Sequence, residues 1–168
     1  ENNNLVDIPE YDNYKFDLEL QQVYNNKRNR YIKKHLTKDG YYRVSLWKNN
    51  TGKTYGIHQL VYIINNPTED LIGYEIDHID RDRTNNKIEN LRKATRSQNG
   101  SNKTTQKNNK LGIKYITKTK YGYRFSLTKN EIKYRKCFKI LQDAIDYRNK
   151  IVLEKCGEFA KKKKKKKK

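Results

Sequence analysis

Apolar and polar positions alternate in short runs through the first third of the chain. In residues 41–47 every second side chain is apolar, which predicts a strand with one buried face. The apolar side chains of this strand are Tyr42, Val44 and Leu46. Turn-forming residues flank it, so further short strands are expected nearby. The pattern predicts a small β-rich module over residues 1–52, with Trp47 as a core anchor.

Helical spacing of apolar residues appears in two stretches. The first is short and covers residues 58–64. The second, residues 141–156, carries an apolar side and ends before Gly157, a residue typical of a helix C-cap. The three strands predicted before it cover residues 113–117, 123–128 and 132–138. A three-stranded antiparallel sheet packed on one helix is therefore expected towards the C-terminus.

The middle of the chain combines two strands with a helix. The strands are predicted over residues 74–79 and 91–94, and the loop between them is rich in turn formers. Thr95 and Gln98 form a T-x-x-Q capping box, which predicts a helix whose first turns carry Asn99. The predicted fold class is α+β, built from small modular domains.

The composition limits the size of any single core and indicates an anionic partner. Only 33% of the 168 residues are hydrophobic, which favours several small modules. The net charge is +20, and the chain stays strongly basic without its lysine tail, residues 161–168. Such a charge attracts polyanions, and double-stranded DNA is the expected partner. RNA binding is an alternative that rests on charge and tyrosines alone.

The lengths of the apolar runs and the placement of the two cysteines indicate the cellular compartment. No run is long enough for a membrane-spanning helix and no signal-peptide pattern begins the chain, so a soluble, intracellular protein is expected. Cys137 and Cys156 lack the spacing and the neighbouring histidines of a zinc site. They are expected to be reduced, buried thiols in a reducing compartment, and no zinc is expected.

Candidate chemistry is concentrated in Asp77 and His78 and two asparagines that follow. Asn90 lies twelve residues after His78, and Asn99 nine residues after Asn90. Phosphodiester hydrolysis needs a cation at the scissile phosphate and a base that activates water. Mg²⁺ takes oxygen ligands and needs only one or two from the protein, a requirement that Asp77 and Asn99 fit. Neighbouring strand residues point to opposite faces, so His78 faces away from Asp77 unless the backbone bends.

This D-H, N, N spacing, with the Asn-Leu-Arg run at residues 90–92, resembles the core of the HNH nucleases. These have the ββα-metal fold, and the asparagine-ending variant is that of phage and viral homing endonucleases. The resemblance implies that Asp77 and Asn99 hold one Mg²⁺ ion, for which Mn²⁺ can substitute. It also implies that His78 is the general base. Asn90 is expected to hold the hairpin loop and to orient the His78 ring through a hydrogen bond.

The function that this resemblance implies is a site-recognising DNA endonuclease of homing type, from a mobile element in a phage or large DNA virus. One HNH centre cuts one strand at a time, so a monomer is expected to nick. The alternative is a catalytically silent DNA-binding protein derived from such an enzyme, because filled site positions do not prove turnover.

The flanking segments resemble modules that accompany HNH cores. The run LVDIPEY at residues 5–11, followed by YKF at residues 14–16, resembles the opening of the nuclease-associated modular domain, which is then expected over residues 1–52. The three predicted strands and one helix, closed by KCGEFA at residues 155–160, resemble the Apetala-type DNA-binding domain, whose sheet lies in the major groove and which is then expected over residues 111–160. The nuclease core is then expected over residues 53–103 and a polar linker over residues 104–110.

Basic residues near these motifs are the candidate DNA contacts. Arg81 and Arg83 either clamp phosphate or form a solvated ion-pair loop with neighbouring aspartates. His58 is either a DNA or metal contact or a packed, hydrogen-bonded histidine. The remaining candidates are Arg92, Arg96, Lys103, Lys114, Arg124, Ser126, Lys133 and Arg135. On the C-terminal sheet, arginine and serine are expected to read base edges and lysine to contact phosphate.

Overall fold

The computed structural model describes residues 4–103, 105 and 108–159. Packing divides the chain between Ala94 and Thr95 into two compact units, called here the first and the second unit. The lysine tail lies outside the described residues, as do three residues of the predicted linker, Thr104, Gln106 and Lys107.

Two antiparallel sheets form most of the first unit. The four strands of the N-terminal sheet, in sequential order, are β1 (Leu5–Asp7), β2 (Tyr14–Asp17), β3 (Gln22–Asn25) and β4 (Arg30–Ile32). The strands of the second sheet are β5 (His35–Leu36), β6 (Tyr42–Lys48) and β7 (Thr51–Gly56). Val44 and Leu46 on β6 are buried, so the predicted inward face of this strand is confirmed.

Helix α1 (Ile57–Asn65) follows β7 directly. The Gly56 N–H donates to the Gln59 side chain over 2.8 Å, which satisfies an amide that the first helical turn leaves unpaired. One cluster of buried apolar side chains joins both sheets, α1 and the segment after it. The predicted boundary between residues 52 and 53 falls inside β7, and the residues on either side of it share this core.

A hairpin closes the first unit. Its strands, β8 (Tyr74–His78) and β9 (Leu91–Thr95), pair as a two-stranded sheet, and the 3-10 helix Ile88–Asn90 leads into β9. Ile76 and Leu91 anchor the two strands in the core of the unit. The hairpin was expected from the sequence, and it carries Asp77 and His78 at the end of its first strand.

The second unit begins with a helix and continues with a sheet packed on another helix. Its elements are α2 (Arg96–Asn102), β10 (Ile116–Thr119), β11 (Gly122–Lys129), β12 (Ile132–Phe138) and α3 (Leu141–Cys156). The predicted capping box is confirmed, since Gln98 N–H donates to Thr95 Oγ1 over 3.2 Å and Thr95 N–H to the Gln98 side chain over 2.7 Å. Phe125 and Leu127 on β11 pack on Ala144 and Val152 of α3.

The first strand of this sheet begins later than the sequence predicts. Strand β10 starts at Ile116, whereas the apolar pattern predicts a strand from residue 113. The Asn109 side-chain amide donates to the carbonyls of Ile113 and Ile116 over 2.8 and 2.9 Å, and Tyr115 has a φ of +69°. These contacts hold the residues before β10 as a turn.

Two burial predictions are wrong. Trp47 is 58% exposed, because the alternation that buries Val44 and Leu46 turns Trp47 to the opposite side of β6. Cys137 is exposed, since it lies opposite Arg124 on the solvent-facing side of the second-unit sheet. Cys156 is buried as expected, and both thiols are free.

The described residues contain no helix whose length and apolar character would let it span a bilayer.

Candidate functional site on the β8–β9 hairpin

Asp77 is a buried carboxylate with a fixed cationic partner. Its exposed fraction is 6%. Arg92 on β9 donates from Nε and Nη2 to Asp77 Oδ2 over 3.1 and 3.0 Å, and only 15% of the arginine side chain is exposed. Arg92 was predicted to contact DNA. Its guanidinium compensates the buried charge of Asp77 instead.

His78 is buried among polar and aromatic groups of the same unit. The residue is 3% exposed, and its Nε2 lies 3.1 Å from the Oδ1 of Asn86. Its ring centroid is 5.0 Å from that of His58 and 5.8 Å from that of Tyr41. The rings of Tyr41 and His58 are also 5.0 Å apart, so the three rings form one cluster.

Asp77 and His78 therefore contact different neighbours, because successive side chains of a strand point to opposite faces. Asp77 meets Arg92 on the paired strand, whereas His78 meets Asn86 in the loop and the two rings. The strand ends immediately after them, where Arg81 N–H donates to the His78 carbonyl over 3.0 Å and Arg81 has a φ of +72°. The turn fixes the backbone of the pair.

Asn90 holds the hairpin loop, as expected, but it does not orient the His78 ring. Its Oδ1 accepts from Asp80 N–H over 3.0 Å, and its Nδ2 donates to Asp80 Oδ1 over 3.0 Å and to the Asn85 carbonyl over 2.8 Å. Because these bonds occupy the amide, the bond to the ring comes from Asn86. The prediction for Asn90 is corrected on this point.

Asp80 is the acceptor at the centre of this loop. Burial raises the pKa of its carboxyl, but hydrogen bonds from the side chain of Asn85, the backbone of Asp82 and the side chain of Asn90 outweigh burial and keep the pKa below its ordinary value. The aspartates of the loop thus accept hydrogen bonds from backbone and amide groups.

Comparison with known proteins finds a family whose sequences resemble the stretch that contains this hairpin. Residues 55–101 match the family model described as HNH endonuclease. This stretch is similar to the HNH endonucleases and is called here the HNH segment. It contains Asp77, His78, Asn90 and Asn99, the four positions on which the sequence-based expectation rests.

Similar proteins come from a phage and a giant virus. The chain is 34% identical over 104 residues to DNA endonuclease I-HmuI of Bacillus phage SP01, which covers 60% of this chain and 57% of that protein. It is 39% identical over 80 residues to the HNH endonuclease L245 of Acanthamoeba polyphaga mimivirus, an uncharacterised protein, with 46% of this chain and 23% of that one covered. The aligned part thus spans little more than half of the first relative and less of the second.

A solved structure of I-HmuI also resembles the chain. That structure describes DNA binding and cleavage by this HNH homing endonuclease. It matches with a TM-score of 0.53 and 25% identity, covering 89% of this chain and 87% of the other. The resemblance extends beyond the HNH segment and includes the mixture of few helices and several small antiparallel sheets.

His58 is the residue of the HNH segment whose environment the sequence left open. Burial, followed by the nearby His78 and Arg43, lowers the pKa of His58 to about 4. The imidazole is therefore neutral near pH 7 and packs on the rings of Tyr41 and His78. The sequence carries no signal for this contact, because the three aromatic rings come from positions far apart in the chain.

Asn99, the second predicted metal ligand, lies on α2 in the second unit and is partly buried. Its pairing with Asp77 on one ion stays a prediction. No group of three or more His, Cys, Asp or Glu side chains suited to a metal occurs among the residues that the structure describes. Mg²⁺ keeps most of its waters and does not require such a group. The oxygen donors of Asp77 and Asn99 fit that ion in chemistry.

The other predicted DNA contacts fall into two groups. Arg83 and Lys114 bind within the chain: Arg83 donates to the Asp39 carbonyl and lies 4.9 Å over the Tyr41 ring, and Lys114 Nζ donates to three carbonyls at the end of α2. Exposed side chains outside the sheet are those of Arg96 and Lys103. On one face of the β11–β12 pair, Arg124, Lys133 and Arg135 are exposed and Ser126 is partly buried.

That sheet face is established by register. Ser126 lies opposite Arg135, and Thr128 opposite Lys133, while Phe125 and Leu127 between them are buried against α3. Because side chains alternate along a strand, the polar set lies on the face away from the helix. Alternation in sequence could not assign this face, since both faces carry aromatic residues.

Proposed function

We propose that the chain is a site-recognising DNA endonuclease of homing type that hydrolyses phosphodiester bonds with one divalent metal ion and nicks one strand as a monomer. The observation that carries the proposal is the Asp77–His78 pair at the end of β8, in which each side chain is held by its own partner within an HNH segment. The I-HmuI structure, which describes DNA binding and cleavage, supports the substrate class.

Asp77 and Asn99 would hold the ion, Mg²⁺ or in its place Mn²⁺. When bound, such an ion neutralises charge on the scissile phosphate and on the leaving oxygen. Arg92 keeps the buried carboxylate of Asp77 compensated and oriented through two hydrogen bonds to one oxygen. The arginine thereby prepares the carboxylate as a hard oxygen donor.

His78 would remove a proton from the attacking water. With Asn86 Oδ1 accepting from Nε2–H, the lone pair of the imidazole lies on Nδ1, which is the basic nitrogen. The cluster with Tyr41 and His58 restricts rotation of the ring. Asn86 is a positioning residue in this scheme, and Asn90 holds the loop that carries Asn86.

DNA would be bound by basic faces outside the hairpin. Arg124, Ser126, Lys133 and Arg135 form a polar face suited to a DNA groove, as the resemblance to an Apetala-type domain implies. The N-terminal sheets would form the nuclease-associated module. The net charge of +20 favours association with any duplex, and site recognition then depends on the base-reading side chains.

A catalytically silent DNA-binding protein is the second candidate. It is favoured by the burial of the pair, with exposed fractions of 6% for Asp77 and 3% for His78, and by the Arg92 ion pair on the carboxylate. In that case DNA binding would persist without cleavage.

Incubation with supercoiled plasmid separates the two candidates. We expect conversion to the open-circular form with Mg²⁺ and none with chelator. His78→Ala is expected to reduce the rate about 100-fold or more while DNA binding persists, because a positioned general base contributes at least that factor. Asn86→Ala is expected to reduce it by a smaller factor.

Lys38→Ala is a matched control, since Lys38 is exposed and lies outside the site. If the parent binds DNA but leaves the plasmid supercoiled with either metal, the silent-binder candidate replaces the nuclease. If His78→Ala and the parent nicked the plasmid at equal rates, His78 would not be the general base.

A further inference from the structure

Trp47 lines a basic groove that is built entirely from the first unit. The groove has a volume of about 770 Å³ and lies between the N-terminal sheet and the end of the β6–β7 hairpin. Aromatic side chains in its lining include Tyr14, Tyr31 and Trp47. We call it the Trp47 groove. Neither the HNH segment nor the sheet of the second unit contributes to it, so it is distinct from the surfaces described above.

The indole of Trp47 is held in place although it is exposed. Trp47 lies opposite Gly52 across the β6–β7 pair, and a Cβ added at Gly52 would come within 3.0 Å of two atoms of the indole. The ring therefore rests against the glycine of the neighbouring strand. The backbone N–H of Trp47 donates to the hydroxyl of Tyr14 over 3.2 Å, which fixes the backbone at this position. With 58% of the residue exposed, a large aromatic surface is presented in a set orientation.

The charge around this ring is positive overall. Five basic side chains line the groove against two acidic ones, Glu10 and Asp12. The basic residues are Lys27, Arg28, Arg30, Lys33 and Lys48, and all are exposed. None of the five forms an ion pair with a carboxylate in the described part of the chain. A groove of this charge favours a polyanion over a protein segment or an apolar ligand.

We propose that the Trp47 groove binds single-stranded nucleic acid, with one base stacked on Trp47 and the phosphates on either side of it contacted by Arg28, Arg30 and the neighbouring lysines. Aromatic platforms combined with cationic grooves bind single strands without sequence preference, because every base has a face to stack. The inference goes beyond the proposed nuclease activity, which does not depend on it.

A single strand fits the groove better than a duplex does. In B-form DNA the base faces are covered by their neighbours, so an indole held flat on a strand would reach only sugar and phosphate edges. Phosphate binding alone would require lysine and arginine but no exposed tryptophan. Stacking of an unpaired base accounts for the fixed, exposed ring of Trp47.

The chain has one tryptophan, so intrinsic tryptophan fluorescence reports on this groove alone. The full chain is titrated with oligodeoxythymidylate and, separately, with a duplex of the same length, in chelator so that no cleavage occurs. We expect the single strand to quench Trp47 fluorescence to saturation and the duplex to leave it largely unchanged. Absence of quenching by the single strand, or equal quenching by the duplex, overturns the proposal.

Two charge-matched double variants keep the fluorophore and test the cationic contacts. Arg28→Ala with Arg30→Ala removes two arginines of the groove, and Lys139→Ala with Lys150→Ala removes two exposed cations of the second unit that lie outside the proposed DNA-binding face. The groove pair is expected to lower the slope of log affinity against log salt by about 1.4, since each single-strand phosphate contact contributes about 0.7. The control pair is expected to leave the quenching curve unchanged. An equal change in both double variants contradicts binding in the groove.

Discussion

His58 shows how packing changes the properties of a single residue. Its ring lies against His78 and Tyr41, and burial lowers its pKa from the ordinary 6.5 to about 4. Asn86 and Asn90 make the same point for hydrogen bonding, since two similar amides of one loop hold different partners. Residue type and spacing indicate that such residues belong to a site, but the side chains around them in the fold determine the role of each one.

The lowered pKa of His58 predicts a loss of stability in acid. The unfolded chain binds the proton below 6.5 and the folded chain only below about 4, so the free energy of unfolding falls as the pH decreases between these values. The total contribution is up to about 3 kcal/mol. Urea unfolding at about pH 7 and about pH 4 should show this loss for the parent and a smaller one for His58→Phe. The same loss in both proteins would mean that other groups cause it.

At the scale of elements, the end of α2 depends on one lysine from outside the helix. Lys114 Nζ donates to the carbonyls of Gly100, Ser101 and Lys103 over 3.0, 2.7 and 2.6 Å. The last carbonyls of a helix lack intrahelical partners, and a cation there also interacts favourably with the helix dipole. Lys114 was predicted to contact DNA, but its ammonium is used to stabilise the helix that carries Asn99.

A pair of lysine variants separates this structural role from DNA binding. Lys114→Met keeps the apolar stem and is expected to lower the free energy of unfolding by about 1 to 2 kcal/mol, because charged hydrogen bonds are lost. Its effect on the salt dependence of DNA binding should be small. Lys133→Met, on the exposed sheet face, should leave stability unchanged and lower the salt slope for duplex DNA by about 0.9. Chemical unfolding and binding titrations at several salt concentrations measure both quantities. If Lys114→Met lowered the salt slope and left stability unchanged, Lys114 would be a DNA contact.

At the scale of the whole molecule, the division between Ala94 and Thr95 crosses the HNH segment. Asp77 and His78 belong to the first unit, whereas Asn99 lies on a helix whose neighbours in the second unit include Cys156, which accepts from Ser101 over 3.5 Å. The predicted modules, with boundaries at residues 52 and 110, divide the chain differently, and those boundaries stay predictions.

Removal of residues 95–168 tests the independence of the first unit. Because this unit has its own core, which includes Phe16, Leu46 and Ile57, we expect residues 1–94 to stay folded. Nicking should be lost, since Asn99 is absent, while quenching of Trp47 by a single strand should persist. Far-ultraviolet circular dichroism and amide proton spectra check the fold, and the plasmid assay checks nicking. An unfolded fragment would show that the first unit requires the second.

The sequence by itself determined several of the elements and the residues from which the chemistry is proposed. Alternation predicted β6, helical spacing predicted α3 with both ends, and Thr95 and Gln98 marked the start of α2, because each depends on residues within a few positions of one another. The spacing of Asp77, His78, Asn90 and Asn99 indicated the HNH segment, because that spacing can be read directly along the chain.

Only the tertiary structure decided which groups meet. The exposure of Trp47, the Arg92 ion pair with Asp77, the bond from His78 to Asn86 and the use of Lys114 at a helix end all join residues from different elements. Local periodicity specifies which face of an element is buried, but it carries no information about which distant side chain packs against that face. Those partners are fixed only when the elements come together.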